Sequence, residues 1–135
     1  MSDKIAIYPG TFDPIHNGHL EIVQRGLGVF DKIVIAIGIN PGKVHLFDLP
    51  ERLLMVEKSI ESFNEGGRIE CDSFNGLLVE YASQRGAHAI LRGLRAISDF
   101  EFEFQLSLMN RKLKKEIETY YLMTAHRYLY LSSTI

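Results

Sequence analysis

Five short apolar runs, separated by stretches patterned for helices, constrain this chain more than any other feature. "KIAIY" (4–8), "KIVIAIGI" (32–39), "RIECDSF" (68–74), the centre of "HAILRGL" (88–94) and "ETYYLM" (118–123) read as strands. Between them the period changes. Leu20, Val23, Leu27 and Phe30 recur at helical spacing, which predicts a helix from about Gly18 to Phe30 with Asn17 as its cap. "DLPERLLMVEKSIESF" predicts a second helix capped by Asp48, with Pro50 tolerated in the first turn. "GLLVEYASQRG" predicts a short third, closed by Gly86. "SDFEFEFQLSLMNRKLKK" (98–115) is ambiguous, because Phe100, Phe102 and Phe104 alternate as a strand would. Its length and a Ser98–Glu101 capping box favour helix.

Strands alternating with helices predict an α/β domain with right-handed crossovers. The expected architecture is doubly wound and Rossmann-like: a five-stranded parallel sheet with helices on both faces, in a single domain over 1–135. In such sheets ligands gather at the carboxyl ends of the strands, beside the switch point in strand order. Three unusual loops fall there: 9–18, 40–48 and "RGLR" (92–95). The helix at 98–115 carries Phe100, Phe104 and Leu108 on one side and Phe102, Leu106, Met109 and Leu113 on another. One stripe suffices to cover a sheet, so the second implies either a partner subunit or a deeper core.

Composition removes several function classes. No apolar run approaches a membrane span and the N-terminus lacks a signal-like stretch, which points to the cytoplasm and to no membrane partner. The lone cysteine, Cys71, excludes an internal disulfide framework and reads as a packed small residue. A formal net charge of −2 argues against a nucleic-acid partner. The basic cluster "RKLKK" (111–115) suits a solvated helix end, where cations complement the dipole.

The first loop, "YPGTFDPIHNGHL" (8–20), places His16 and His19 where much backbone is bent. As metal ligands they would need further partners, yet His45, His88 and His126 are scattered singly. As part of an anion-binding turn, Gly10 and Gly18 would let backbone approach a ligand, and the opening helix would present unpaired N–H groups to it. A merely satisfied loop histidine would explain either one alone, but not the glycines, Thr11 and both histidines together.

"YPGTFDPIHNGH" resembles the signature of the cytidylyltransferase-like nucleotidyltransferases. With "INPGKVHLF", "LRGLRAISDFEFEFQLSLMNR" and "YLYLSSTI", the chain is similar to the bacterial phosphopantetheine adenylyltransferases across nearly its whole length. The resemblance implies adenylyl transfer from ATP to 4′-phosphopantetheine, yielding dephospho-coenzyme A and pyrophosphate, with Mg2+ accompanying ATP and a hexameric assembly. It implies ATP contacts at Thr11, Phe12, His19, Gly93, Leu94, Arg95 and Glu103, and along Tyr128, Leu129, Tyr130, Leu131, Ser132, Ser133 and Thr134. It implies acceptor contacts at Thr11, Lys43, Leu78, Arg92 and Asn110, with His19, Lys43 and Arg92 as the catalytic set.

The residue types suit that chemistry. A phosphate monoester is already nucleophilic at neutral pH, so positioning and charge stabilisation carry most of the rate. Lys43 sits in a Pro-Gly-Lys loop, and Arg92 and Arg95 offer planar forks to phosphates. Departures from the family pattern are expected in three places: Phe102 replaces a frequent tyrosine, "LSST" replaces a more serine-rich run, and the family's C-terminal helix is lacking, since the sequence stops at Ile135. Alternative acceptors on the same turn are nicotinamide mononucleotide and glycerol phosphate, and a non-catalytic nucleotide sensor is the alternative outside enzymes.

Overall fold

A computed structural model describes residues 3–94 and 97–123 of the chain, without the side chains of Ile97 and Ser98. In chain order the elements are β1 (Ile5–Gly10), α1 (Asn17–Gly26), β2 (Lys32–Gly38), α2 (Leu49–Ile60), a 3-10 turn (Glu65–Gly67), β3 (Ile69–Phe74), α3 (Leu78–Gln84), β4 (Ala89–Leu94), α4 (Ile97–Leu113) and β5 (Glu118–Met123). The strands form one five-stranded sheet in the order β3-β2-β1-β4-β5, and every pairing is parallel. The doubly wound expectation is met, with the switch point between β1 and β4.

Period-two alternation sorts the core onto two faces. Ile33, Ile35 and Ile37 of β2 point with Ala6, Tyr8 and Leu91 toward Ile22 and Val23 of α1 and Val56 and Ile60 of α2. Val34 and Ala36 point the other way with Ile7 and Ile90, toward Val79 and Ala82 of α3. Five consecutive β2 residues, Ile33 to Ile37, are fully buried, as a strand covered on both faces must be. Each such branched side chain contributes roughly 1.5–3 kcal/mol of burial. Gly26 closes α1 onto the sheet: a Cβ there would lie 2.8 Å from both Ile33 Cδ1 and Leu91 Cδ2. Tyr121 of β5 donates its hydroxyl proton to the Glu103 carbonyl at 2.8 Å, which seats α4 along that strand.

Several local expectations need correction. The cap of α1 is His16, not Asn17, and the helix ends at Gly26 rather than Phe30. Beyond Gly26 the chain tightens into a turn, with Val29 N–H on Gly26 O at 2.9 Å and Gly28 N–H on Arg25 O at 3.1 Å. β1 runs on through Pro9 and Gly10 instead of stopping at Tyr8. It pairs with β2 to its end but with β4 only at Ala6 and Ile7. Pro9, which has no N–H to give, therefore sits where β1 and β4 have already parted. α4 begins at Ile97, one residue before the Ser98 expected to cap it. Asp48, by contrast, caps α2 as read, accepting from Glu51 N–H at 2.9 Å.

The surface of α4 inverts the expected stripes. Its buried residues are Glu103 and Asn110, while Phe100, Phe102, Phe104, Leu108, Met109 and Leu113 are all exposed. Cys71 is half-buried; burial, reinforced by the nearby Glu57 and Asp72 carboxylates, pushes its thiol up to about 12. That makes it a poor nucleophile, in keeping with a packing role. Among the described residues no helix is long and apolar enough to cross a membrane.

Candidate active site

The parting of β1 from β4 beyond Ile7 is where such a sheet is expected to form a crevice, and three strand ends would supply its walls. The first wall is the turn after β1. His16 and His19 form a reciprocal cap at the start of α1. Gly18 N–H donates to His16 Nδ1 at 3.1 Å, and His16 N–H donates to His19 Nδ1 at 3.1 Å. The two rings stack 3.8 Å apart at 19°. Since both Nδ1 atoms accept, either ring in its neutral form carries its proton on Nε2. Part of the expected row of helix-start N–H groups is thus committed to the cap, with Gly18 N–H on the His16 ring.

Phe12 holds this turn in an unusual shape. Its φ is 48°, a strained value for a bulky residue, worth roughly 1–3 kcal/mol. Packing over-determines it: the ring is 1% exposed, meets Tyr8 edge-on at 5.4 Å and His19 at 4.8 Å. Beneath it lies Gly10, where a Cβ would come within 2.9 Å of Phe12 Cε2. Gly10 therefore makes room for the Phe12 ring. Burial raises the Tyr8 hydroxyl above its ordinary range, offset in part by the Arg92 charge, so Tyr8 stays protonated.

The second wall is the loop after β2. Lys43 is exposed, and its Nζ lies 3.4 Å from Thr11 Oγ1. Two residues that sequence reading passed over tie this loop to the first. Asp13 accepts Leu46 N–H at 2.7 Å and Phe47 N–H at 2.8 Å. Arg52 donates from Nε to the Phe47 carbonyl and from Nη1 to the Thr11 carbonyl, both at 3.0 Å. His45 Nδ1 lies 3.4 Å from Asp13 Oδ2 without an aligned hydrogen bond. Burial works against the Asp13 charge, but the Leu46 and Phe47 N–H groups, with Arg52 and His45, overcome it and hold the carboxyl below its usual range. The signal was present only as a carboxylate inside "TFDPIH" and a cation on the core side of α2.

The third wall is the end of β4 with α4 behind it. Arg92 grips Glu103 through Nε and Oε1 and through Nη2 and Oε2, the latter at 2.9 Å. Glu103 is 7% exposed, so it is no solvated helix residue. Gly93 and Leu94 continue the strand, paired with Leu122 and Met123. A narrow cleft beside them is lined by Leu94, Phe100, Glu103, Phe104, Ser107 and Tyr121. Asn110 is buried, and its Nδ2 has no hydrogen-bond partner among the described residues. Leu78 opens α3 and packs half-buried against the face around Ile7 and Val34. Of the expected contacts, the structure links Thr11 with Lys43, Phe12 with His19, and Arg92 with Glu103. Arg95 and Tyr128, Leu129, Tyr130, Leu131, Ser132, Ser133 and Thr134 lie outside the described residues.

Comparison with known proteins bears on the family and the fold. A profile of the cytidylyltransferase-like family matches residues 7–135. Phosphopantetheine adenylyltransferase of Desulfosudis oleivorans is 55% identical over 132 residues, 98% of this chain and 77% of that protein. The protein of the same name from Desulfatibacillum aliphaticivorans is 55% identical over 133 residues, 98% of this chain and 74% of that protein. Among solved structures, a bifunctional NMN adenylyltransferase/ADP ribose pyrophosphatase from Francisella tularensis superposes with a TM-score of 0.71 at 16% identity, covering 98% of this chain and 40% of that one. A lipopolysaccharide core biosynthesis protein from Thermoplasma volcanium gives 0.61 at 19%, covering 92% and 98%. At such identities these two speak for the fold alone. Identity above one half along nearly the whole chain, on a sheet with this strand order, places the chain in the cytidylyltransferase-like family and, within it, among the phosphopantetheine adenylyltransferases.

Proposed function

We propose that the crevice between β1 and β4 transfers the adenylyl group of ATP to 4′-phosphopantetheine, giving dephospho-coenzyme A and pyrophosphate. The observation that carries this is the 55% identity over 98% of the chain to proteins of that name. An oxygen of the acceptor phosphate attacks the α-phosphorus of ATP. The bond from that phosphorus to the bridging oxygen breaks, and pyrophosphate leaves with the electron pair. No strong base is demanded, because the attacking phosphate is already anionic.

The residues divide the work by position. His19 Nε2–H donates to a non-bridging α-phosphate oxygen, where charge accumulates in the transition state. Lys43 and Thr11 hold the acceptor phosphate from the loop side. Arg92, with Nε and Nη2 committed to Glu103, turns its remaining N–H edge to phosphate. Phe12, Gly93, Leu94, Arg95, Glu103 and the segment 128–134 surround the nucleotide. Leu78 offers apolar surface to the pantetheine arm, and the unpaired Asn110 amide suits one of that arm's carbonyls.

Magnesium enters this proposal on ATP itself. The described residues include no group of three His, Cys, Asp or Glu side chains fit to cage a metal. Asp13 and Glu103 are committed to backbone and to Arg92. An ion held by phosphate oxygens and water fits that donor set; it supplies charge neutralisation on the triphosphate. The exposed apolar residues of α4 support a homo-oligomer, with six subunits and a cytoplasmic location proposed.

The test is product identity. The protein with ATP, magnesium and 4′-phosphopantetheine is expected to yield dephospho-coenzyme A by mass, with pyrophosphate in equal amount. Nicotinamide mononucleotide or glycerol phosphate should give neither. Pyrophosphate release with either of those acceptors but not with phosphopantetheine would overturn the assignment.

A further inference from the structure

The loop after β2 has little of its own to hold it. Val44 is 95% exposed and Leu46 69%. Its internal support is one turn, Lys43 N–H on Asn40 O at 3.1 Å, with Gly42 N–H on Asn40 Oδ1 at 3.3 Å. Just past Lys43 the backbone is seized from outside by Asp13 and Arg52, through the Leu46 and Phe47 amides and the Phe47 carbonyl. Arg52 also holds the Thr11 carbonyl. Both side chains are buried, Asp13 to 7% and Arg52 to 3% exposure. Burying charge is costly, and apolar residues of similar volume often stabilise a core as well or better. Here the two charges direct their hydrogen bonds at backbone groups of two separate loops. The outcome of that arrangement is visible at the far end: the Lys43 ammonium stands beside the Thr11 hydroxyl.

We propose that Asp13 and Arg52 are positioning residues for adenylyl transfer, locking the loop over 39–48 to the turn after β1 so that Lys43 and Thr11 meet the substrate as a pair. This rests on the roles given to Lys43 and Thr11 above. Asp13 acts through the backbone on the tip of the loop, and Arg52 fixes the distance between the loop bases. Releasing either lets the ammonium drift by an ångström or more, enough to lower turnover about 10²-fold.

A double-mutant cycle tests the coupling. Asp13→Asn keeps the shape but sets an amide N–H against a backbone N–H. Turnover is measured for the wild type, Asp13→Asn, Lys43→Ala and the double variant, with circular dichroism as the check on folding. Asp13→Asn is expected to lower kcat about 10²-fold alone, yet less than about threefold when Lys43 is already alanine, because residues sharing one path are non-additive. Arg52→Lys, which keeps the charge but loses the fork, should behave like Asp13→Asn. Equal fractional losses with and without Lys43 would overturn the proposal. Amide exchange on the unaltered protein gives a second readout that needs no variant to fold. Leu46 and Phe47 should exchange far more slowly than Val44, and equally fast exchange at all three would refute the clamp. Unchanged turnover in Lys43→Ala would instead strike the reading of the site, and with it the purpose assigned to the clamp, while slow exchange at Leu46 and Phe47 would still show the clamp itself.

Discussion

At α1, apolar side chains go inward and polar ones turn onto the helix end: Ile22 and Val23 lie in the core, and His16 and His19 cap the first turn. At α4 the arrangement is reversed, with Glu103 and Asn110 buried and six large apolar side chains from Phe100 to Leu113 each 46% exposed or more. Scattered exposed apolar residues are ordinary, but six on the two sides of one helix are a concentration of the kind that interaction surfaces show. α1 is complete within one chain, whereas α4 buries the polar Glu103 and Asn110 and exposes apolar side chains that the proposed homo-oligomer would cover. The difference teaches that burial alone does not identify a core helix: the site can claim the inward face.

The sharpest way to break this contrast is at the capped turn. His19→Ala should lower turnover roughly 10²–10³-fold, the usual loss for one donor aimed at developing charge, with far less change in the KM for ATP. If turnover holds while only the melting temperature drops, the histidine pair is a helix cap and nothing more. The next largest effect belongs to α4. Phe102→Glu or Met109→Glu should break the assembly into smaller species in sedimentation velocity, costing about 2 kcal/mol or more per aromatic or apolar anchor. Both positions are exposed within one chain, so the fold should survive. A wild-type protein that sediments as a monomer would remove the reason for the inverted face.

The legible part of the fold was the part set by local pattern. β2 announced itself because a strand buried on both faces needs an unbroken apolar run, and Asp48 with Glu51 formed the reciprocal cap its spacing promised. The hidden part depends on partners distant in sequence. Asn17 is the better cap by propensity, yet His16 takes the position because His19, one turn on, completes the pair. Two apolar stripes on α4 gave no hint that Glu103 would face inward, since that requires Arg92 from β4 as its counter-charge. Asp13 and Arg52 escaped notice for the same reason: three of their four bonds to backbone span 33 or more residues, and only the Arg52–Phe47 bond is local. Phe12 could not announce a positive φ, because the space that permits it is the absent side chain of Gly10.

That space is itself testable, with a smaller effect. Gly10→Ala would force its methyl to within 2.9 Å of the Phe12 ring, and the ring has packed neighbours on its other sides in Tyr8 and His19. Overpacking of this kind typically costs about 1–3 kcal/mol. The expected result is a lower denaturation midpoint with an unchanged slope, together with lower turnover, because displacing Phe12 displaces His19. A comparable methyl added on α4, as in Ser107→Thr, should leave turnover of the same order. If Gly10→Ala is neutral in both stability and rate, the α1 turn is no more tightly packed than the exposed helix.

The smallest effect expected is a dependence on acid, which separates the two regions by electrostatics. Asp13 has its folded pKa held below the ordinary 3.8. A depressed carboxyl contributes its full stabilisation above about pH 4, where the unfolded group is ionised, and loses it as pH falls through the folded value. The measurement is the difference in melting temperature between the wild type and Asp13→Asn, followed from neutral to strongly acid solution. Glu70, whose pKa is lowered chiefly by its hydrogen bond from Lys32, is present in both proteins and cancels in the difference. The gap should stay level at neutral pH and close only in acid. A gap independent of pH would mean that the carboxyl titrates alike in the folded and unfolded chain, so that neither the Leu46 and Phe47 hydrogen bonds nor the Arg52 charge favours its ionised form.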